Sequence, residues 1–475
     1  MKIKRESEKG SHITEMRRNT RHVFWLIFAL FFLLTAYLIH LVLFESRHIV
    51  ENPANPRIAL VASEVTRGRI LDSRGYILAE SLSADSSRAY PFGAAFAHLV
   101  GYAQLGQAGV ESRYNFVLQR LHWEVIQRAS GVLFDTPLVG NDIVLTVNAD
   151  LQRQVANSLS GQRGAVVALE PSTGRILAMA SYPNFDPNTI EANWETLRTD
   201  NEASPLLNRA AQGLYPPGSV FKMVTAAAAF SSLAGHDDFV FYCEGETTFG
   251  NKRIRCYNAT AHGLVDASRA FAVSCNIYYA ALIMEMGADP LIERAEKLLF
   301  NERYPFPLPF TASSFVMGAA ADEMELIETA IGQGRTLVTP MHMAMMTAAA
   351  ANGGLMMEPY IVNSIQSHGG MTLQRNLPRP LGRVFTAEEA AFLTDIMTEV
   401  VQSGTGQFAA VPGVAVGGKT GTAETDAGEP HGWFIAFAPA EMPQVAVAVV
   451  LENAGNTRRA QAISREVIEI VLAVN

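Results

Sequence analysis

The segment Leu214–Phe230, LYPPGSVFKMVTAAAAF, sets a serine behind Pro216, Pro217 and Gly218, and a lysine three residues after it. An almost wholly apolar, alanine-rich run follows. Proline and glycine cannot carry a helix in from upstream, so the spacing predicts a helix opening at about Ser219. The backbone N–H groups of its first turn lack intrahelical partners and sit at the positive end of the helix dipole. Residue i+3 lies on the same face, with Cβ atoms about 5–6 Å apart, so Lys222 can reach the Ser219 hydroxyl. Apolar surroundings disfavour an ammonium and move a lysine pKa from about 10.4 toward a value useful in a base. A serine activated by a lysine is one reading; a capping serine followed by a surface lysine is the other. Serine-x-x-lysine alone does not separate them, because about two such matches arise by chance in a chain of this length.

Bulk properties narrow the class. A chain of 475 residues is too long for one ordinary core, so two or more domains are expected. Its 49% hydrophobic and 17% charged residues suit a folded protein with a membrane-embedded part. No basic stripe points to a nucleic-acid partner. Residues 22–44 contain no Lys, Arg, Asp or Glu and are long enough to cross a hydrocarbon core of about 30 Å. The preceding residues, 1–21, carry seven basic and three acidic side chains, which predicts a cytoplasmic tail touching the inner leaflet. A cleaved signal peptide is the alternative, but the apolar run is long for one and no small-x-small site follows it. The expectation is therefore a single-pass anchor with an extracytoplasmic catalytic part.

Beyond the anchor, residues 45–60 read as a polar, proline-containing linker that opens a small region, 45–140, punctuated by glycines. From residue 141 the pattern changes. DIVLTVN reads as a strand, ADLQRQVANSLS as an amphipathic helix, and GAVVALE-PSTG-RILAMASYP as a hairpin. Residues 219–405 are rich in Ala, Met and Leu at helical spacing; strands return at GVAVGGKTGTAE, GWFIAFAP and PQVAVAVVLEN, before a last helix. Strands at both ends with helices between predict an α+β domain over 141–475, its antiparallel sheet joining both ends beneath a helical lobe. The methionines read as core filler. Three cysteines are too few for a disulfide scaffold, and no spacing reads as a zinc site. In a hairpin turning at Phe249-Gly250, Cys243 and Cys256 would face each other, so a disulfide and two free thiols both stay open.

Two further motifs decide between the readings of Ser219. FAVSCNIYYA carries Ser274, Cys275 and Asn276, 55 residues after Ser219, and GGKTGTAE carries Lys419, Thr420, Gly421 and Thr422 at a strand end. Serine-x-x-lysine, serine-x-asparagine and lysine-threonine-glycine in this order are the signature of penicillin-binding proteins and class A β-lactamases. The resemblance extends over nearly the whole chain. RGRILDSRG (67–75) and GYAQLGQAGVESRYNFVL (101–118) resemble the pedestal motifs of class B penicillin-binding proteins, the monofunctional peptidoglycan D,D-transpeptidases. GAVVALEPSTGRILAMASYPNFDPN, IGQGRTLVTPMHMA and HGWFIAFAP are similar to that family's catalytic domain. The short pedestal most resembles the small actinobacterial-type members, and no glycosyltransferase domain of the bifunctional class is expected.

The resemblance implies a serine β-lactamase/D,D-peptidase-like fold and a role for each motif residue. Ser219 would be the nucleophile, Lys222 the base of acylation, and Ser274 the relay to the leaving amine. Asn276 would hold the substrate amide, and Lys419 would further lower the Lys222 pKa. Thr420 and Thr422, with Gly421 between them, would bind the terminal carboxylate, and the backbone N–H groups of Ser219 and Thr422 would form an oxyanion hole. Arg69 and Glu111 would form a structural ion pair in the pedestal. No cofactor or metal is expected. The partners implied are peptidoglycan stem peptides, β-lactams and a membrane glycosyltransferase of the SEDS type. A D,D-carboxypeptidase or β-lactamase on the same fold, and a β-lactam-binding scaffold, are the alternatives.

Overall fold

The structure is a computed structural model that describes residues 2–41, 65–83, 86–119, 138–233, 235–250, 252–425 and 428–474. The predicted linker at 45–60 and the last residues of the predicted span, 42–44, lie outside them. The chain divides into two compact units, Met1–Glu64 and Val65–Asn475. In the first, one helix runs Lys2–His40, and its part Asn19–His40, of mean hydropathy 2.3, is long and apolar enough to cross a membrane. None of that window is buried by protein, which leaves a surface suited to lipid.

The second unit is built on a five-stranded antiparallel sheet. Its order is Gly417–Ala423, His431–Ala438, Val445–Leu451, Gly164–Leu169, Ile176–Tyr182. The pairing of 445–451 with 164–169 joins the two ends of the domain, as the pattern of strands predicted. Alternate residues feed opposite faces. Trp433, Ile435, Phe437, Ala446, Ala448 and Val450 enter the larger core beneath the helical lobe. Phe434, Ala436, Val447 and Val449 meet Ile463, Val467, Leu151 and Val155 from helices Arg458–Val474 and Ala149–Ser158. Covered on both faces, the inner strands Val445–Leu451 and Gly164–Leu169 are apolar throughout rather than alternating. In the lobe, Met341, Met343, Met345 and Met346 of helix Pro340–Ala351 are all buried. Arg294 donates to Glu389, the capping-box residue of helix Ala387–Gln402, and to Val384 O at 2.7 Å.

The smaller sheet runs Thr372–Arg375, Val362–Gln366, Asp142–Leu145, Ile70–Leu71, Ile77–Ala79. Asp142–Leu145 pairs in parallel with the pedestal strand Ile70–Leu71 and antiparallel with Val362–Gln366. The ion pair expected between Arg69 and Glu111 is not formed. Glu111 instead receives Arg67 Nε at 2.6 Å and Arg88 Nε at 2.7 Å, while Arg69 bonds both carboxylate oxygens of Asp142. The reason is the sheet: residue 69 adjoins the strand that Asp142 opens, whereas Glu111 lies on helix Gly109–Arg113, beside Arg67. Burial works to raise the Glu111 pKa, but the charges of Arg67 and Arg88 outweigh it and hold the carboxyl below its ordinary value.

The hairpin between Cys243 and Cys256 turns one position later than expected. Phe249 pairs with Lys252 and Glu246 with Arg255, so Cys256 lies beyond the ladder, its N–H on Gly245 O, and not opposite Cys243. Cys243 ends a different strand, Phe241–Cys243, which pairs with Gly263–Val265. The two sulfurs nevertheless lie 3.7 Å apart, as free thiols.

Candidate active site

The predicted helix start is refined by one turn. Gly218–Phe221 forms a 3-10 turn, and the α-helix follows at Lys222–Ser232. Gly218 has φ +55°, and a Cβ there would lie 2.5 Å from Thr422 O, so the close approach of this turn to the lysine-threonine-glycine strand needs glycine at 218. Gly421 serves the same contact from the other side: a Cβ there would meet Val220 Cγ1 at 2.9 Å. Trp433 Nε1 donates to Pro216 O at 3.0 Å and ties the turn to the sheet. Ser219 is thereby held half-buried beside the edge strand.

Lys222 is fully buried but does not bond Ser219. Its Nζ donates to Ser274 O at 2.9 Å, Ser274 Oγ at 3.3 Å and Asn276 Oδ1 at 2.7 Å. Three acceptors match the three protons of an ammonium. Lys419, also fully buried, donates to Ser274 Oγ at 2.9 Å and to Thr420 O at 3.0 Å. The Ser274 hydroxyl thus lies between two lysines. Ser274 has φ +57°, a left-handed conformation that costs a non-glycine residue about 1–2 kcal/mol and marks a turn held by its surroundings. Asn276 Nδ2 donates to Arg255 O at 2.8 Å.

Burial lowers the Lys222 pKa to about 8, with Cys275 and Cys256 working the other way. Lys419 falls well below its ordinary value, first through burial and then through the charge of Lys222. Two ammonium groups buried around one hydroxyl repel, so each disfavours the charged form of the other.

Ser219, Ser274, Asn276, Thr420 and Thr422 line one open cleft of about 1210 Å³. Arg255, Arg269 and Arg458 stand on its wall, a cationic setting for an anionic ligand. Sequence reasoning missed Thr405, whose hydroxyl lies 2.6 Å from that of Thr420 and whose N–H bonds Ala272 O. It also missed Gln333, whose Nε2 donates to Thr422 O at 3.4 Å. Gln333 lay within a stretch already read as family-like; Thr405 has no local pattern, because its partners come from distant segments.

A serine and two buried lysines at the edge of this sheet define a serine acyltransferase site. Residues 164–472 match the penicillin binding protein transpeptidase domain, and residues 67–143 the penicillin binding protein A dimerisation domain. The chain is 34% identical to the peptidoglycan D,D-transpeptidase PbpA of Mycolicibacterium smegmatis, over 93% of this chain and 95% of that one. It is 32% identical to PbpA of Mycobacterium tuberculosis, over 96% and 99%. A solved M. tuberculosis penicillin-binding protein A, a ceftriaxone acyl-enzyme, superposes with TM-score 0.81 at 32% identity, covering 87% of this chain and 100% of that one. This chain belongs to the penicillin-binding protein transpeptidase family. Within it, the near full-length likeness places it with the class B, PbpA-like serine D,D-transpeptidases.

Proposed function

We propose that Ser219 carries the acyl group in cross-linking of peptidoglycan stem peptides, with Lys222, Ser274, Asn276 and Lys419 handling its protons and substrate. The observation that supports this most directly is the Ser274 hydroxyl, 2.9 Å from Lys419 Nζ and 3.3 Å from Lys222 Nζ, in the cleft that holds Ser219. Neutral Lys222 takes the Ser219 proton as Oγ attacks the carbonyl carbon of the penultimate D-alanine. The oxyanion forms against the backbone N–H groups of Ser219 and Thr422, where one donor is worth about 3–4 kcal/mol. As the C–N bond breaks, Ser274 gives its proton to the leaving D-alanine amine and regains one from the lysines. Asn276 has a second amide proton left for the substrate, because Arg255 O takes only one. Thr420 and Thr422, with Gly421 keeping the strand close to the nucleophile turn, receive the terminal carboxylate. An amine of a second stem peptide then attacks the ester and frees Ser219.

β-Lactams enter the same first half-reaction and stop at the acyl-enzyme. Hydrolysis requires a positioned base and water. Glu170 bonds Thr173 in a turn after strand Gly164–Leu169 and does not line the cleft. Among the described residues that do, Glu424 is the only carboxylate, and it is exposed. That favours transpeptidase over β-lactamase. The basic residues before the apolar helix support a cytoplasmic N-terminus in contact with the inner leaflet and an extracytoplasmic catalytic unit; a SEDS-type glycosyltransferase as membrane partner rests on the family resemblance alone. Labelling with fluorescent penicillin tests the reading. The wild-type chain should keep a covalent adduct for many minutes and Ser219→Ala should form none; rapid turnover without a lasting adduct would make it a hydrolase.

A further inference from the structure

Four metal-ligating side chains from four places in the chain meet beside the cleft, which two of them, Cys256 and His262, line. Cys243 ends strand Phe241–Cys243, and Cys256 follows hairpin strand Lys252–Arg255. His262 precedes strand Gly263–Val265, and Cys275 caps helix Asn276–Met286. The three cysteines are buried and unbonded. Cys256 Sγ lies 3.7 Å from the Sγ atoms of both Cys243 and Cys275, and Cys243 Sγ lies 3.4 Å from His262 Nδ1. All four donor atoms fall within 4.8 Å of one another.

Three of the six donor–donor distances match the edges of a coordination tetrahedron, and the other three are no longer than 4.8 Å. Zinc bonds of about 2.3 Å to sulfur and about 2.0–2.1 Å to nitrogen give S···S edges of about 3.8 Å and S···N edges of about 3.6 Å. A disulfide would need two sulfurs at about 2.05 Å and would leave the third thiol and the imidazole without a role. We propose that Cys243, Cys256 and Cys275 through Sγ, and His262 through Nδ1, bind one structural zinc ion. Four protein ligands close the coordination shell, so the ion is not a Lewis acid for substrate. Binding releases up to three thiol protons and transfers no electrons. Three thiolates and a neutral imidazole leave the site with one net negative charge. The Cys275 sulfur already accepts the Tyr278 N–H at 3.4 Å, at the positive end of its helix.

The ligands are 13, 6 and 13 residues apart, unlike the close cysteine pairs of zinc-finger sequences, so the site is a product of the tertiary fold. Its place gives it a function. Cys275 lies between Ser274 and Asn276, and Cys256 follows Arg255, whose carbonyl holds Asn276. The ion clamps the turn that presents Ser274 at φ +57° to the two lysines. Cys275 is thus a positioning residue. This coupling rests on the acyl-transfer reading above; metal binding does not.

The full chain, purified in detergent under reducing conditions, is incubated with zinc chloride and desalted. Elemental mass spectrometry should find about one zinc per chain. Cobalt(II) in its place should give thiolate charge-transfer absorption and the intense visible bands of tetrahedral coordination. His262→Ala should weaken zinc binding at least tenfold, and His262→Cys, which restores a fourth ligand, should recover it. Removing zinc should slow penicillin acylation at least tenfold, reversibly. A metal-free protein after this treatment, or a Cys243–Cys256 disulfide whose reduction does not allow zinc uptake, overturns the site. Stoichiometric zinc with an unchanged acylation rate overturns the coupling alone, and Ser219→Ala labelling tests acyl transfer independently of both.

Discussion

The pH dependence of acylation should report the burial of Lys222. Its Nζ faces three acceptors and is protonated at rest, yet only the neutral amine can take the Ser219 proton. Burial brings its pKa to about 8. At pH 7 a base of that pKa is about 9% neutral, against about 0.03% for an unshifted lysine, a gain of about 300-fold, or about 3 kcal/mol. The second-order rate of fluorescent-penicillin acylation, measured from pH 6 to 9 on the detergent-solubilised chain, should therefore climb almost tenfold per unit and level off near pH 8. Lys222→Ala should lose both the rate and the inflection while its unfolding transition remains cooperative. The same shift has a cost in stability. The folded-state pKa lies below the unfolded one, so the penalty is absent above about pH 10.5, grows as pH falls, and is complete below about 8. Lys222→Met should accordingly unfold at higher denaturant at pH 7, offset in part by the lost hydrogen bonds. A rate independent of pH between 6 and 8, or one still climbing tenfold per unit up to pH 9, would refute Lys222 as a base of lowered pKa.

Three further outcomes follow from the packing. Arg294→Met should destabilise the chain by about 3–5 kcal/mol in urea titration, because it leaves the buried Glu389 carboxylate without its guanidinium. His342 is buried with its pKa lowered from 6.5 to about 4, so its contribution to stability is lost as pH falls through that window; His342→Gln should remove about 3 kcal/mol of the acid sensitivity between pH 7 and pH 4, read from denaturant midpoints. Gly218→Ala should slow acylation at least tenfold and lower the melting temperature, since its φ of +55° and the nearby Thr422 carbonyl leave no room for a methyl group.

The chemistry was legible in the sequence because its parts are local. Ser219 and Lys222 are one turn apart, Ser274 and Asn276 share one turn, and Lys419 to Thr422 share one strand, so each motif is visible in a short window and the family resemblance names its groups. The apolar runs at 164–169, 431–438 and 445–451 likewise announced the sheet, because strands buried on both faces cannot be anything but apolar. Tertiary structure decided whatever depends on partners far along the chain. It gave Glu111 to Arg67 and Arg88 and Arg69 to Asp142, and turned Lys222 toward Ser274 and Asn276 instead of Ser219. It also gathered Cys243, Cys256, His262 and Cys275 into one cluster. Spacing fixes which residues share a helix face or a strand edge; which faces and edges then meet is set by how the core closes, and no short window of sequence contains that.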